Sequence, residues 1–152
     1  MIGLLFFLLL VAAPIALVIH ELGHIITGAL CGARYSVLTI GTGRSIIRIK
    51  FQKLHIIIGS LFFIGGHSIN VKEPEFTRLQ KVLISSGGPL ANGVICGLLL
   101  IFPNSNEIEV IHLFFLFNLY LAVVNLIPFR IGERKSDGYL ILKNLNGNWV
   151  ES

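Results

Sequence analysis

Two histidines and a glutamate stand close together near the N-terminus, in the pattern His20-Glu21-x-x-His24. On a helix, residues four apart lie on the same face, so both imidazoles would project side by side and hold one metal ion between them. Glu21 is rotated by about 100° from His20 and can reach water beside the metal without being a ligand. Metal sites with this spacing use the carboxylate as a general base, so the pattern predicts hydrolytic zinc chemistry.

The motif lies in strongly hydrophobic sequence. Of the 152 residues, 54% are hydrophobic and 13% are charged, with a mean hydropathy of +0.82, whereas soluble proteins average about 25% charged residues. A charged side chain at bilayer depth costs roughly 2.5–3.5 kcal/mol on insertion scales, so three ionisable residues there would be a heavy burden without a function. The composition predicts one integral membrane domain covering residues 1–152.

Three apolar segments predict transmembrane helices at residues about 2–30, 82–103 and 110–129. The intervening residues 35–71 are rich in β-branched side chains, and apolar and basic residues alternate within them, which favours strands. Residues 54–71 carry no formal charge, but their glycines and short apolar core favour strands over a further helix. We therefore expect a membrane α-helical fold, with a β-rich, partly membrane-embedded loop between the first and second spans.

Charge is distributed unequally between the two loops. The first loop carries eight basic residues against two acidic ones, whereas the second carries Glu107 and Glu109 and no basic residue. The positive-inside rule then places the N-terminus outside and the C-terminus in the cytoplasm, in what we expect to be a cell membrane. The formal net charge of +4 does not predict a nucleic-acid partner, because the basic residues are spread through one loop without a binding motif.

A catalytic zinc needs one more protein ligand, because such sites generally use three protein ligands and a water. The candidates are Asp137, His55, His67, His112 and a few glutamates. Pro128 breaks the third span, and Asp137 follows that break on an Asp-Gly pair whose backbone can turn toward a metal. Asp137 is therefore the predicted third ligand.

Asn92 lies in a run of small residues at the start of the second span. Small residues let helices approach closely, so the run itself predicts helix packing. An amide within a span has to be hydrogen-bonded. Asn92 fits an active-site role and a structural helix-to-helix hydrogen bond equally well.

Together the motifs resemble the site-2 protease family of intramembrane zinc metalloproteases. The residues that carry this resemblance are His20 to His24 in the first span, Gly88-Pro89-x-x-Asn92 in the second, and Asn125-x-x-Pro128 with Asp137-Gly138 in the third. The sequence shows no PDZ or CBS domain, so it is similar to the bare three-helix core of the family.

The resemblance implies that His20, His24 and Asp137 bind one Zn²⁺ per chain and that Glu21 is the catalytic base. Residues 129–136, between the proline and the aspartate, are more numerous and more charged than is usual in the family. We expect this interval to form a cytosol-facing extension.

The resemblance also implies a substrate segment that lies extended along an edge strand of the β-rich loop, with Asn92 near the cleft. Residues 54–64 or 66–71 are the candidate edge strands. We assign Asn92, Gly66 and His67 to substrate binding or oxyanion stabilisation, with a hydrogen-bonded membrane-interface role as the alternative for His67.

The predicted function is zinc-dependent cleavage of a membrane-associated or transmembrane peptide or protein near the cytoplasmic side. The expected partners are this substrate, the lipid bilayer, and a helper membrane protein or further copies of the chain. The alternative is a non-catalytic zinc-binding membrane protein that acts as partner or immunity factor for a peptide. An intact Glu21 argues against this alternative, because a site that only binds has no need of a base.

Overall fold

The computed structural model describes residues 2–101 and 109–146. Helix α1 (Ile2–Leu30) runs without interruption through the His20-Glu21-x-x-His24 motif, as predicted. Residues Leu8–Ala12 form a π-helical turn shortly before Pro14. Proline has no N–H to donate to the preceding turn, and a widened turn is one way in which a helix accommodates it.

Helix α2 (Arg78–Ile101) begins before residue 82, where the second span was predicted to start. The reason is a capping pair at its N-terminus. The Gln80 N–H donates to Thr77 Oγ1 at 3.3 Å, and the Thr77 N–H donates to Gln80 Oε1 at 3.1 Å. This reciprocal pair satisfies two backbone donors that a helix start leaves free. The predicted end of the span, residue 103, lies outside the described residues.

Helix α3 (Glu109–Val124) ends before residue 129, the predicted end of the third span. The N–H groups of Leu126 and Ile127 bond to carbonyls three residues back, at 3.2 and 3.1 Å, so the chain tightens as it leaves the helix. Pro128 disfavours a helical conformation of the residue before it. The third predicted span was therefore too long at this end.

Helices α1 and α2 are long and apolar enough to cross a membrane, whereas the described part of α3 has 16 residues. Only 17% of the most apolar stretch of α1 and 33% of that of α2 is buried, unlike the core helix of a soluble protein. Large apolar side chains exposed on the two helices include Leu9, Ile15, Ile26, Leu90 and Val94. These surfaces suit a lipid environment, and the third span stays a prediction.

The region between α1 and α2 is a sheet of two long antiparallel strands, β1 (Tyr35–Phe51) and β2 (Leu54–Val71). This confirms the predicted β-rich loop and excludes a helix over residues 54–71. Gly41 and Gly65 have φ angles of 78° and 70°, which lie in the region that favours glycine. They let the strands bend, so that different parts of the same strand meet different partners.

Residues 35–40 lie in the middle of this sheet, between two parts of β2. They pair with residues 66–71 on one side and with residues 54–58 on the other. Residues 54–58 also pair with residues 47–51, so they have strand neighbours on both sides. Within the described residues, 66–71 pair with a strand on one side only and form one edge of the sheet.

Helices α1 and α2 touch backbone to backbone. A Cβ atom at Gly23 would collide with the carbonyl of Gly87, and a Cβ at Gly87 would lie 2.5 Å from the Gly23 carbonyl oxygen. The run of small residues therefore does allow the close helix approach that the sequence predicts.

Residues 129–136, the expected extension, form a hairpin. Its strands are β3 (Arg130–Ile131) and β4 (Arg134–Lys135), with Gly132 at a φ of 59° in the turn. Helix α4 (Asp137–Asn146) follows directly. The hairpin returns the chain to the end of α3, so the additional residues do not move α4 away from the helices.

Candidate metal centre and cleft

Three side chains converge between α1 and α4. Nε2 of His20 lies 3.0 Å from Asp137 Oδ2, and Nε2 of His24 lies 3.4 Å from Asp137 Oδ1. The two Nε2 atoms are 3.2 Å apart, and one ligand atom from each residue lies within 4.8 Å of the others. His20 and His24 are 5% and 9% exposed. The structure thus brings together all three residues that were predicted as ligands.

Asp137 reaches α1 because Ser136 closes the hairpin behind it. The Ser136 hydroxyl donates to the Ile127 carbonyl at 2.7 Å and accepts from the Phe129 N–H at 3.0 Å. The same oxygen accepts from the Tyr139 N–H at 3.1 Å and so caps α4. Asp137 is consequently the first residue of a capped helix that is tied to the end of α3.

Gly138 permits this connection to be tight. Its N–H donates to the Asn125 carbonyl at 2.8 Å, and a Cβ at this position would collide with the Leu126 carbonyl. Gly138 is therefore required for packing, because no larger residue fits after the aspartate.

A chain of buried amides fixes the tautomer of His20. Asn118 Nδ2 donates to the Phe114 carbonyl at 2.8 Å, which leaves Asn118 Oδ1 to accept from Asn92 Nδ2 at 2.8 Å. Asn92 Nδ2 also donates to the Ala16 carbonyl at 3.1 Å, so Asn92 Oδ1 is the atom that faces His20 Nδ1 at 2.7 Å. An oxygen can only accept, so His20 carries a proton on Nδ1, and Nε2 is the nitrogen left to bind a metal.

The backbone of α2 orients His24 as the amides orient His20, with Nδ1 hydrogen-bonded and Nε2 facing Asp137. Nδ1 of His24 lies 2.7 Å from the Ile84 carbonyl oxygen and, at a longer distance of 3.2 Å, from the Gly88 N–H. The shorter contact, to an oxygen that can only accept, favours a proton on Nδ1 and leaves Nε2 as the nitrogen that faces Asp137. Gly88 forms the wall behind the two imidazoles. A Cβ at Gly88 would collide with His24 Nε2 and would lie 2.7 Å from His20 Nε2.

The donor set fits Zn²⁺. Two imidazole nitrogens with free lone pairs and one carboxylate are ligands that zinc accepts, and three protein ligands leave a position for water. Burial by itself would raise the pKa of Asp137, but when His20 and His24 carry protons on Nε2, their hydrogen bonds and charges hold this pKa below its ordinary value. The carboxyl is therefore ionised near neutral pH, as metal binding requires.

A model of peptidase family M50 matches residues 6–107, about two-thirds of the sequence. The chain belongs to peptidase family M50. The members of this family are membrane-embedded zinc metalloproteases, and the resemblance to site-2 proteases is thereby confirmed. The match includes His20, Glu21, His24 and Asn92 and ends before Asp137, which the structure places beside the two histidines.

The cluster of His20, His24 and Asp137 opens into a cavity of about 830 Å³. Glu21 lines this cavity, and its Oε2 accepts a hydrogen bond of 2.6 Å from the Ser68 hydroxyl. Gly66 and His67, which were assigned to substrate contacts, line it as well. A Cβ at Gly66 would lie 3.7 Å from Glu21 Cγ, an ordinary contact distance, so this part of the edge strand lies directly beside Glu21.

Asn92 lies behind the ligands rather than in the cavity wall. It is 0% exposed, and both hydrogens of its amide are used by Ala16 and Asn118. The geometry supports a role in holding His20. The oxyanion role assigned from the sequence stays a prediction, and it requires the amide to exchange one of these partners for substrate.

The other histidines considered as ligands lie away from the M50 centre. The His55 ring stacks on Tyr35 at a centroid distance of 5.5 Å, and the His112 ring stacks on Phe115 at 6.5 Å. Neither lines the cavity. His67 lies in the cavity wall but outside the cluster of ligand atoms.

Sequence reasoning missed three residues that support the site. Asn118 carried the same signal as Asn92, a polar amide within an apolar helix that has to be hydrogen-bonded. Ser68 and Ser136 carried no local signal. Their roles depend on how the sheet lies against α1 and on how the hairpin closes, and neither is encoded in a nearby motif.

Substituting alanine for Gly88 is expected to lower the affinity for zinc by roughly 100-fold, the upper end of the losses seen when the surroundings of a metal site change. The added methyl group would lie against both ligand nitrogens. Zinc content of the purified protein, measured by mass spectrometry after dialysis, tests this. Gly93→Ala in the same helix is the matched control, because a Cβ at Gly93 would meet no neighbouring atom within 4 Å. Equal zinc in the two variants would contradict the expectation.

Proposed function

We propose that this protein is a zinc-dependent intramembrane endopeptidase that cleaves a membrane-associated or transmembrane peptide or protein near the cytoplasmic side. The observation that carries the proposal is the meeting of His20, His24 and Asp137 in one cluster, with Glu21 in the wall of the same cavity. Membership of family M50 supports it independently.

His20, His24 and Asp137 would hold the metal, with Asn92 and the Ile84 carbonyl maintaining the imidazoles in the ligating tautomer. When bound, Zn²⁺ supplies Lewis-acid chemistry, since it polarises a carbonyl oxygen and lowers the pKa of water toward about 7. Glu21 acts as the base that removes a proton from the attacking water, and its carboxyl then protonates the leaving amine.

The substrate has to be extended before it is cut, because a helix hides its carbonyls in its own hydrogen bonds. Residues 66–71 offer an edge to which an extended peptide can be added as a further strand, and Gly66, His67 and Ser68 of this edge line the cavity. Residues 54–58 have strand partners on both sides, which removes them as an alternative edge.

The surroundings of the cavity suit a reaction at the membrane boundary. Helices α1 and α2 expose apolar surfaces that lipid would cover, whereas Lys81, Arg134 and Lys135 line the cavity. Basic residues concentrate on the cytoplasmic side of membrane proteins, so we infer that the cavity opens there, with the N-terminus outside. Water from this side would supply the hydrolysis.

Removal of the metal tests the proposal. We expect the purified protein in lipid to contain about one zinc per chain and to cleave a single-span peptide, with cleavage lost on treatment with 1,10-phenanthroline. One equivalent of Zn²⁺, but not of Mg²⁺, should restore cleavage, because two imidazoles suit zinc better than the oxygen-preferring Mg²⁺. Mass spectrometry of the products locates the cut.

Two results would count against the proposal. Cleavage that persists without metal would exclude zinc catalysis. Stoichiometric zinc with no cleavage of any peptide in a panel of single-span sequences would favour the non-catalytic zinc-binding alternative.

A further inference from the structure

Ser68 is the hydrogen-bond partner of Glu21. Its hydroxyl lies 2.6 Å from Glu21 Oε2, the short distance typical of an O–H donor to a charged carboxylate. Within residues 2–101 and 109–146, this is the hydrogen bond that the Glu21 carboxylate makes. A glutamate side chain has several rotatable bonds, and a fixed donor selects one of its conformations.

The position of Ser68 follows from the alternation of side chains along β2. Every second residue of the edge strand turns toward α1, and these residues are Gly66, Ser68 and Asn70. Asn70 Nδ2 donates to the His24 carbonyl at 3.1 Å, and its side chain fills the space beside Gly28. The strand thus contacts α1 first at Glu21, through Gly66 and Ser68, and then one turn further along, through Asn70.

The strand that carries Ser68 is also the edge to which a substrate is proposed to pair. Along residues 66–71, one side of the backbone pairs with residues 35–40 and the other has no strand partner in the part of the chain described. The Ser68 side chain meanwhile reaches Glu21. A peptide added to this edge would therefore have its position along the strand related directly to the position of the base.

We propose that Ser68 is a positioning residue for Glu21. Its hydroxyl holds the carboxylate at one place in the cavity, in register with a peptide bound along residues 66–71. This inference rests on the proposed function and deepens it, because it makes one strand responsible for both the placement of the substrate and the orientation of the base.

The test compares Ser68→Ala, Ser68→Thr and Ser60→Ala in the zinc-loaded protein. Ser60 lies exposed in the same strand and serves as the control. We expect Ser68→Ala to lower kcat by about 10- to 100-fold, the range for a hydrogen bond to a charged group, with KM changed by less than about twofold. Ser68→Thr keeps the hydroxyl on a strand-favouring residue and should recover most of the rate.

A binding measurement separates positioning from substrate contact. In the Glu21→Gln background, which is expected to cleave very slowly, Ser68→Ala should leave the Kd for the single-span peptide within about twofold. Zinc content should equal that of the wild type in every variant. A Ser68→Ala variant that retains the wild-type kcat would overturn the inference, and so would one whose main defect is peptide binding or zinc loss.

Failure of the inference and failure of the proposed function give different results. If the wild-type protein cleaves and Ser68→Ala cleaves equally well, only the role of Ser68 is lost. If the zinc-loaded wild type cleaves no peptide, the proposed function itself fails, and the positioning role is refuted with it.

Discussion

Replacing Asp137 with alanine is expected to strip the protein of its zinc. Only His20 and His24 would remain as protein ligands. Substituting a residue that only supports a ligand lowers zinc affinity by up to roughly 100-fold, so loss of the ligand itself should lower the affinity further. We expect the zinc content of purified Asp137→Ala to fall from about one per chain to background and peptide cleavage to disappear with it.

Two further variants make this experiment decisive. Glu133→Ala removes an exposed acidic side chain from the same hairpin and should leave zinc and cleavage unchanged. Asp137→Asn preserves the size of the side chain and weakens ligation, so it separates loss of metal from disturbance of α4. Full zinc in Asp137→Ala would show that another residue completes the site.

Replacing Glu21 with glutamine is expected to slow cleavage severely while leaving zinc in place. Glutamine keeps the shape of the side chain and an oxygen that can accept from Ser68, but it cannot take a proton from water. General acid–base catalysis typically contributes about 10²- to 10⁴-fold, so we expect the rate of peptide cleavage to fall by this factor.

The control for this substitution is Glu73→Gln, whose side chain is 79% exposed in an ion pair with Arg34. It should match the wild type in both zinc content and rate. A Glu21→Gln variant that cleaves at the wild-type rate would show that another group acts as the base. Retained biological function without proteolysis would instead favour the binding alternative.

The parts of the structure that depend on neighbouring residues were predictable from sequence. Helical spacing alone places His20 and His24 on one face of α1, and alternation with β-branched residues predicts strands over residues 35–71. Asp137 was predicted correctly to lie beside the histidines because a proline break followed by Asp-Gly describes the local backbone.

The parts that depend on distant contacts were not predictable in this way. Composition indicates that residues 129–136 leave the helix, but it does not show that Ser136 returns to bond with Ile127 and Phe129. The sequence likewise left two candidate edge strands, because residues 54–58 gain their second strand partner from residues 36–40, which no local pattern indicates. The order of donors and acceptors in the hydrogen bonds that link Asn118, Asn92 and His20 depends on the packing of three helices.

The sheet between α1 and α2 has a second edge, formed by residues 47–51, and the two edges differ in charge. Arg48 and Lys50 alternate along this second edge, and both are exposed. Cations on an edge strand discourage the pairing of stray strands and so protect a protein from aggregation. Residues 66–71 carry no Lys or Arg, so a substrate that pairs with this sheet, as proposed, would be favoured at the edge beside Glu21 over the opposite one.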